Sequence, residues 1–299
     1  MDAKHYFNKP EYFFQPYHLL KKLVRVVGGK PKSKTLMTLP WGSSFFVNPK
    51  ETIGGAIFDM GVYDMALTET VYRLVKASDF CLDVGANIGF VTNLMAVCCG
   101  KQGKVYAFEP HPTILAEFLR PNLSLLEEDG YQNVEIFPFA LSNQTGVGRL
   151  FIPAFFDQNP GTASLEEQAS GNKIEIILRK LDEFITDEKQ IKLFKIDVEG
   201  HESAVFEGAS EAFARKSIQH VIYEDHQIGA SKATDFLIKN GYSIFRINKQ
   251  FKGVILTDKN ELKYEVPHEA PNYLATLHPE EVSKIFSKQG WSFLNLKMA

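Results

Sequence analysis

Apolar residues fall into short runs separated by glycine, proline and polar turns, and the runs alternate between strand length and helix length. Phe80 to Val84 is a short apolar run, Gly85 and Gly89 bracket a turn, and Ile88 to Cys99 has the length of a buried helix. Gly100 to Gly103 break it. Lys104 to Glu109 then reads as a strand, Pro112 to Leu126 as a helix and Val134 to Ala140 as a third strand, the rhythm of a parallel sheet. Between Leu141 and Asp182 the rhythm lapses into strand-like Gly148 to Ile152, a loop containing Pro153, Pro160 and Gly161, and strand-like Ile174 to Leu178. A substrate lid is expected in this insertion, over about residues 153-173. The rhythm resumes with Leu193 to Val198, a helix from Glu202 to Phe213, a strand from His220 to Glu224 and a helix from Ser231 to Asn240. Short strands follow at Tyr242 to Ile247, Val254 to Leu256 and Tyr273 to Thr276. The pattern predicts one doubly wound, Rossmann-like α/β domain over residues 51-299, mostly parallel with an antiparallel edge. Residues 1-50, rich in aromatics, Lys and Pro, read as an irregular N-terminal extension.

Composition narrows the function classes. A chain of 299 residues with 44% apolar residues can bury one sizeable core. A formal charge of -3, from 33 basic and 36 acidic residues spread along the chain, offers no footprint for a nucleic-acid backbone. Cys81, Cys98 and Cys99 show no metal-ligand spacing, and so sparse a set suits a reducing cytoplasm better than a disulfide framework. The first residues lack a signal-peptide pattern, and no apolar run reaches the roughly 20 residues of a transmembrane span. His18 to Val27, basic and apolar, reads as a helix docked on its own domain rather than a membrane-surface segment.

In an open α/β sheet, ligands bind beyond the carboxyl ends of the strands where the strand order reverses, which directs attention to the first βα turn. Gly85 lets the backbone turn sharply and approach a ligand, Gly89 permits tight packing where the helix begins, and Asn87 lies between them. A dinucleotide site would place a pyrophosphate here, and Asp83 has no charge complement in one. S-adenosylmethionine carries an ammonium and a sulfonium instead, so Asp83 can organise its amino-acid end directly or through water. Glu109, closing the second strand, can accept hydrogen bonds from both ribose hydroxyls.

Four strings resemble the FkbM-type methyltransferases: Leu82 to Gly89, Phe108-Glu109-Pro110, Ala140-Leu141-Ser142, and Leu193-Phe194-Lys195-Ile196-Asp197-Val198-Glu199-Gly200-His201-Glu202. Gly61-Val62-Tyr63-Asp64 and Asn272-Tyr273-Leu274-Ala275 extend the resemblance over about residues 50-280. It implies a class I methyltransferase fold, a seven-stranded and mostly parallel sheet with an antiparallel edge strand. It also implies S-adenosyl-L-methionine as cofactor, S-adenosyl-L-homocysteine as product, and methyl transfer to a hydroxyl of a sugar, glycan or secondary metabolite. Tyr63 is placed over the amino-acid end of the cofactor by this resemblance alone.

Methyl transfer to an alcohol needs in-line alignment of the acceptor oxygen and a group that takes its proton. Asp197, Glu199 and His201, at the end of a strand broken by Gly200, are the candidate bases. Glu199 or Glu202 can instead cap the next helix and His201 can be an ordinary loop histidine, so Asp197, at the strand end, has the strongest functional claim. Phe108, Pro110, Ala140 and Leu141 fall at strand ends where an adenine slot would form, with Ser142 as its polar contact. Glu224-Asp225-His226 ends a further strand and can face the same pocket, but its spacing does not compel a metal site, and no metal ligand is assigned. Two rivals stand beside this reading. An NAD-dependent oxidoreductase would need glycine where Asn87 and Phe90 stand, and a non-catalytic cofactor-binding module would keep the same fold. Nothing in the sequence fixes the acceptor or the oligomeric state.

Overall fold

The computed structural model describes residue 10 and residues 34-153, 163-165, 172-185, 190-225, 227, 231-261 and 271-296. Three layers, helices on both faces of a sheet, organise these residues. His18 to Val27 and most of the expected lid lie outside them.

Strands β3 (Phe80–Val84), β4 (Lys104–Phe108), β5 (Val134–Phe137), β9 (Ile191–Ile196) and β10 (Ile218–Glu224) form the parallel part of an eight-stranded sheet. β13 (Asn272–Thr276) pairs antiparallel to β10, followed by β11 (Ser243–Gln250) and β12 (Gly253–Asp258). The order β12-β11-β13-β10-β9-β3-β4-β5 contains the seven strands the resemblance implies, and β12, read in the sequence at Val254 to Leu256, makes an eighth by folding back on β11. The order reverses between β3 and β9, which puts the switch point beside the Gly85 turn.

Strand alternation explains the two cores. Cys81 of β3, Val105 and Ala107 of β4, Leu193 of β9 and Ile222 of β10 enter one apolar cluster. Leu82, Val84, Tyr106, Phe108, Phe194, Ile196, Val221 and Tyr223 enter the other. Side chains of one strand point alternately to opposite faces, so both faces must be covered. On the first face lie α1 (Thr52–Met60), α2 (Met65–Leu74) and α3 (Phe90–Cys99), and on the second α6 (Glu202–Glu207), α7 (Ser210–Ala214) and α8 (Lys232–Lys239).

Several elements differ from the sequence expectation. The third strand stops at Phe137, because Pro138 has no N–H for the ladder. Ala140–Leu141 instead forms β6, in a separate sheet with β7 (Gly146–Ile152) and β8 (Asn172–Arg179) in the order β6-β8-β7. The helical run after β4 comprises α4 (Pro112–Ile114), a π-helical turn at Leu115–Leu119 and α5 (Arg120–Glu128). Pro121, which cannot donate a helical hydrogen bond, is the second residue of α5, just beyond that turn. The helix expected from Glu202 to Phe213 is two helices, α6 and α7.

Residues 35-47, read as irregular, form a hairpin of β1 (Thr35–Thr38) and β2 (Ser44–Val47) that enters the first core. Trp41 donates to Asn93 Oδ1 at 2.7 Å and packs on Phe90, with ring centroids 5.5 Å apart. Asn122 accepts from the Phe46 amide at 2.7 Å and donates to the Ile88 carbonyl at 2.8 Å. The hairpin therefore braces the glycine turn. At the other end, α9 (Pro279–Phe286) and the segment after it dock on α2 through Arg73.

Candidate active site

The turn after β3 takes its shape from its neighbours. Gly85 has φ +72°, and a Cβ there would lie 1.9 Å from the Asp197 carbonyl oxygen, so only glycine fits. Gly89 has φ +87° and begins α3. Asn87 takes the left-handed conformation, with φ +50°. The Gly85 and Ala86 amides both donate to the Phe108 carbonyl at 3.0 Å, and the Gly89 amide to Ala86 at 2.9 Å. These amides hold the turn together and are not aimed at a ligand.

Beyond the turn lies a cleft of about 1170 Å³, a volume that includes its mouth open to solvent. Of the residues expected to bind cofactor, Tyr63, Gly85, Asn87, Glu109, Pro110 and Ala140 line it, as do the candidate bases Asp197 and Glu199. Asp83, Gly89, Ser142 and His201 are not among its lining residues. Asp83 is fully buried behind the turn, where it accepts from Thr92 Oγ1 at 2.6 Å and pairs with Lys195 Nζ at 3.2 Å. Asp83 thus stands behind the turn, and its side chain is not part of the cleft wall. Alternation places Asp83 on the same face as Cys81, toward α3. Ser142 Oγ and His201 Nε2 lie 3.0 Å apart and engage each other.

Glu109 accepts from the Asn87 amide at 2.9 Å and the His111 amide at 2.8 Å. Burial pushes its carboxyl up to about 7, against the opposing pull of those two amides. An apolar slot of Phe108, Ile114, Phe139, Ala140 and Leu141 lies in the same cleft. Phe108 stacks on Phe137 with centroids 4.9 Å apart and an interplanar angle of 16°.

On the other side of the switch point, the turn after β9 carries the acids. Glu199 has φ +50°, and its carbonyl accepts from Ser164 Oγ at 2.7 Å. Its carboxyl is pushed up to about 7 by burial, then by Asp197 and Glu202. Glu202 accepts from the Gly200 amide at 3.2 Å, serving the turn itself. Glu224 lines the cleft, and burial followed by repulsion from Asp197 and Glu199 pushes it up to about 9. Asp225 turns away, accepting from Ser231 at 2.7 Å and Thr234 at 2.6 Å. His226 lies outside the described residues, among which no group of three or more His, Cys, Asp or Glu side chains could hold a metal ion. Asp64 caps α2 by accepting from the Ala66 and Leu67 amides at 2.8 and 3.0 Å, which fixes the chain beside Tyr63.

Sequence reasoning assigned no role to Lys195, Phe139 or Ile53, all of which line the cleft. A lysine inside the apolar run Leu193 to Ile196 was the available signal for the first. The other two had none, since an apolar residue in a loop or helix looks the same whether it faces core or cleft.

A family model described as Methyltransferase FkbM domain matches residues 83–244, more than half of the chain. The chain belongs to the FkbM methyltransferase family. Its doubly wound, mostly parallel sheet with an antiparallel edge is the Rossmann-like α/β architecture expected from the sequence. Methyltransferase 1 of Beauveria bassiana is 27% identical over 157 residues, which cover 44% of this chain and 59% of that protein. A solved FkbM methyltransferase from Methylobacillus flagellatus is 14% identical, covering 74% of this chain and 53% of its own, with a TM-score of 0.41. This FkbM chain thus spans less than two thirds of either relative. A solved S-adenosylmethionine-dependent O-methyltransferase from Thermotoga maritima is 14% identical over 83% of this chain and 93% of its own, with a TM-score of 0.41.

Proposed function

We propose that this chain transfers the methyl group of S-adenosyl-L-methionine to a hydroxyl oxygen of a sugar, glycan or secondary metabolite. The observation that carries the reading is the convergence of the Gly85 turn, Glu109 and the Asp197–Glu199 turn on one cleft at the switch point. The residues fit the cofactor. Glu109 offers its carboxylate to the ribose, the slot from Phe108 to Leu141 suits adenine, and Tyr63 covers the amino-acid end. The acids of the cleft complement a sulfonium and an ammonium. When bound, the cofactor supplies an electrophilic methyl group.

The chain's own residues orient the acceptor and take its proton. Glu199, with its carboxyl near neutrality, is suited to general-base work, and Asp197 beside it to orienting the hydroxyl. His201, engaged with Ser142, acts on the shape of the turn. The cleft runs from the apolar slot past the Gly85 turn to the acids of β9 and β10, which leaves space for an acceptor beside the cofactor. Residues 163-165 of the insertion contribute Ala163 and Leu165 to its wall, which supports a lid over the acceptor. The charge of -3 disfavours a nucleic-acid acceptor. Among the described residues no helix is long and apolar enough to cross a membrane. The free thiols of Cys81, Cys98 and Cys99 support a cytoplasmic setting.

Calorimetry with S-adenosylhomocysteine and NAD, followed by mass spectrometry of candidate glycans and metabolites incubated with labelled methyl donor, tests the reading. Binding of the sulfur ligand and label on a hydroxyl oxygen are expected. Binding of NAD without the sulfur ligand, or label confined to nitrogen or carbon, overturns it.

A further inference from the structure

Asp83 and Lys195 are direct register partners on β3 and β9, and alternation puts both side chains on the same face. Lys195 is 4% exposed, so its ammonium must find its partners inside the protein. Nζ donates to the Gly85 carbonyl at 2.8 Å, with the Val84 carbonyl at 3.5 Å. It also pairs with Asp83 Oδ1 at 3.2 Å and lies 3.6 Å from Asp197 Oδ2 in the cleft.

We infer that Lys195 is a positioning residue of the methyl-transfer site: one ammonium that cross-links Asp83 behind the turn, the Gly85 carbonyl within it and Asp197 in the cleft. The inference rests on the methyl-transfer reading for its purpose and on these contacts for its geometry. Neutralising Asp83 needs only the contact with its own carboxylate. The contacts with Gly85 and Asp197 tie the cofactor turn to the acidic turn, so that a shift in either moves both.

The surrounding charges make the same point. Asp83 from β3, Asp197 from the turn after β9 and Glu224 from β10 stand around the ammonium, Lys195 also acts on Glu109, and Glu199, Glu202, Asp64 and Tyr63 act on these same cleft groups. Burial alone would lower the Lys195 pKa, but Asp83, Asp197 and Glu224 together hold it above its ordinary value. Lys195 in turn opposes the upward push on Glu224.

The test compares wild type, Lys195→Met and the double variant Asp83→Asn/Lys195→Met. Lys195→Met leaves Asp83 buried without its counter-ion and melts lower. The double variant replaces the pair by neutral groups of similar size, a change that is often neutral for stability, and its melting temperature recovers. Two readouts are then taken on the double variant. S-adenosylhomocysteine affinity by calorimetry is expected to fall by about tenfold. Glu224 titration in the ligand-free protein, followed by carboxyl NMR and assigned with Glu224→Gln, is expected to move above its starting value of about 9. A stable double variant with wild-type affinity and an unmoved Glu224 midpoint overturns the inference and leaves Lys195 a counter-ion for Asp83. Wild type that binds no S-adenosylhomocysteine overturns the methyl-transfer reading instead, while the ligand-free titration still decides whether Lys195 acts on the cleft.

Discussion

At Gly85, two requirements coincide at one residue: a left-handed backbone and a carbonyl where a Cβ would sit. Gly85→Ala is therefore expected to cost about 2–4 kcal/mol of stability, from backbone strain and overpacking together. Urea unfolding measures it, and a loss within error would mean the turn relaxes freely. Glu109 makes a pH-dependent prediction. Burial keeps its carboxyl protonated up to about 7 in the ligand-free protein, whereas in the proposed complex ribose hydroxyls donate to the ionised form. Binding then favours loss of that proton, so S-adenosylhomocysteine affinity should rise between about pH 6 and pH 8. Calorimetry at both values should show this in wild type and a flat profile in Glu109→Gln.

Among the elements, α2 anchors the C-terminal segment to the first core. Its Arg73 donates to the carbonyls of Ile285, Lys288 and Gly290 at 3.3, 2.7 and 2.8 Å, and pairs with Glu69 at 2.6 Å. Glu69 in turn accepts from the Phe293 amide at 3.0 Å. Arg73→Met would strand a fully buried Glu69 and several carbonyls, with an expected cost of about 3–5 kcal/mol. Chemical denaturation checks the stability, and faster proteolysis after residue 278 would show that the C-terminal segment has come loose. The strands on either side of the switch point were legible because their short apolar runs stop at clear breaks, Gly85 after Val84 and Asp197 after Ile196. The hairpin at residues 35-47 was not, since four-residue strands are too short to show a period.

Across the whole molecule, several acids are buried more deeply than their charge favours. Glu51, Glu109 and Glu199 are each pushed up to about 7 and Glu224 to about 9, with burial the largest cause in every case. An unfolded glutamate ionises near 4.3, so above that value and up to the folded ones these carboxyls bind more protons in the native state. Their contribution to stability is lost as pH rises through the folded values. His220, pushed down to about 3 by burial, acts in the opposite sense, but only below the roughly 6.5 at which an unfolded histidine titrates. From about pH 6.5 to 9 the carboxyls decide the sign, and the stability of the ligand-free protein falls. Thermal melts should show a lower midpoint at about pH 8.5 than at about pH 6.5. A flat or rising profile would mean these carboxyls are solvated or paired in solution.

The sequence by itself determined the α/β rhythm, the glycine turn, the acids at the strand ends and the resemblance to the FkbM family, because each depends on residue type at short spacing. Only the tertiary structure decided which of those acids meet. Register set Asp83 against Lys195 and turned Asp83 from the cleft, while Glu109, Asp197, Glu199 and Glu224 were gathered around it. Strand order and pairing between residues over a hundred positions apart control that outcome, and local pattern carries no record of them. The Gly85 turn, which we propose as the scaffold of the cofactor site, is tied to the neighbouring strand through Lys195.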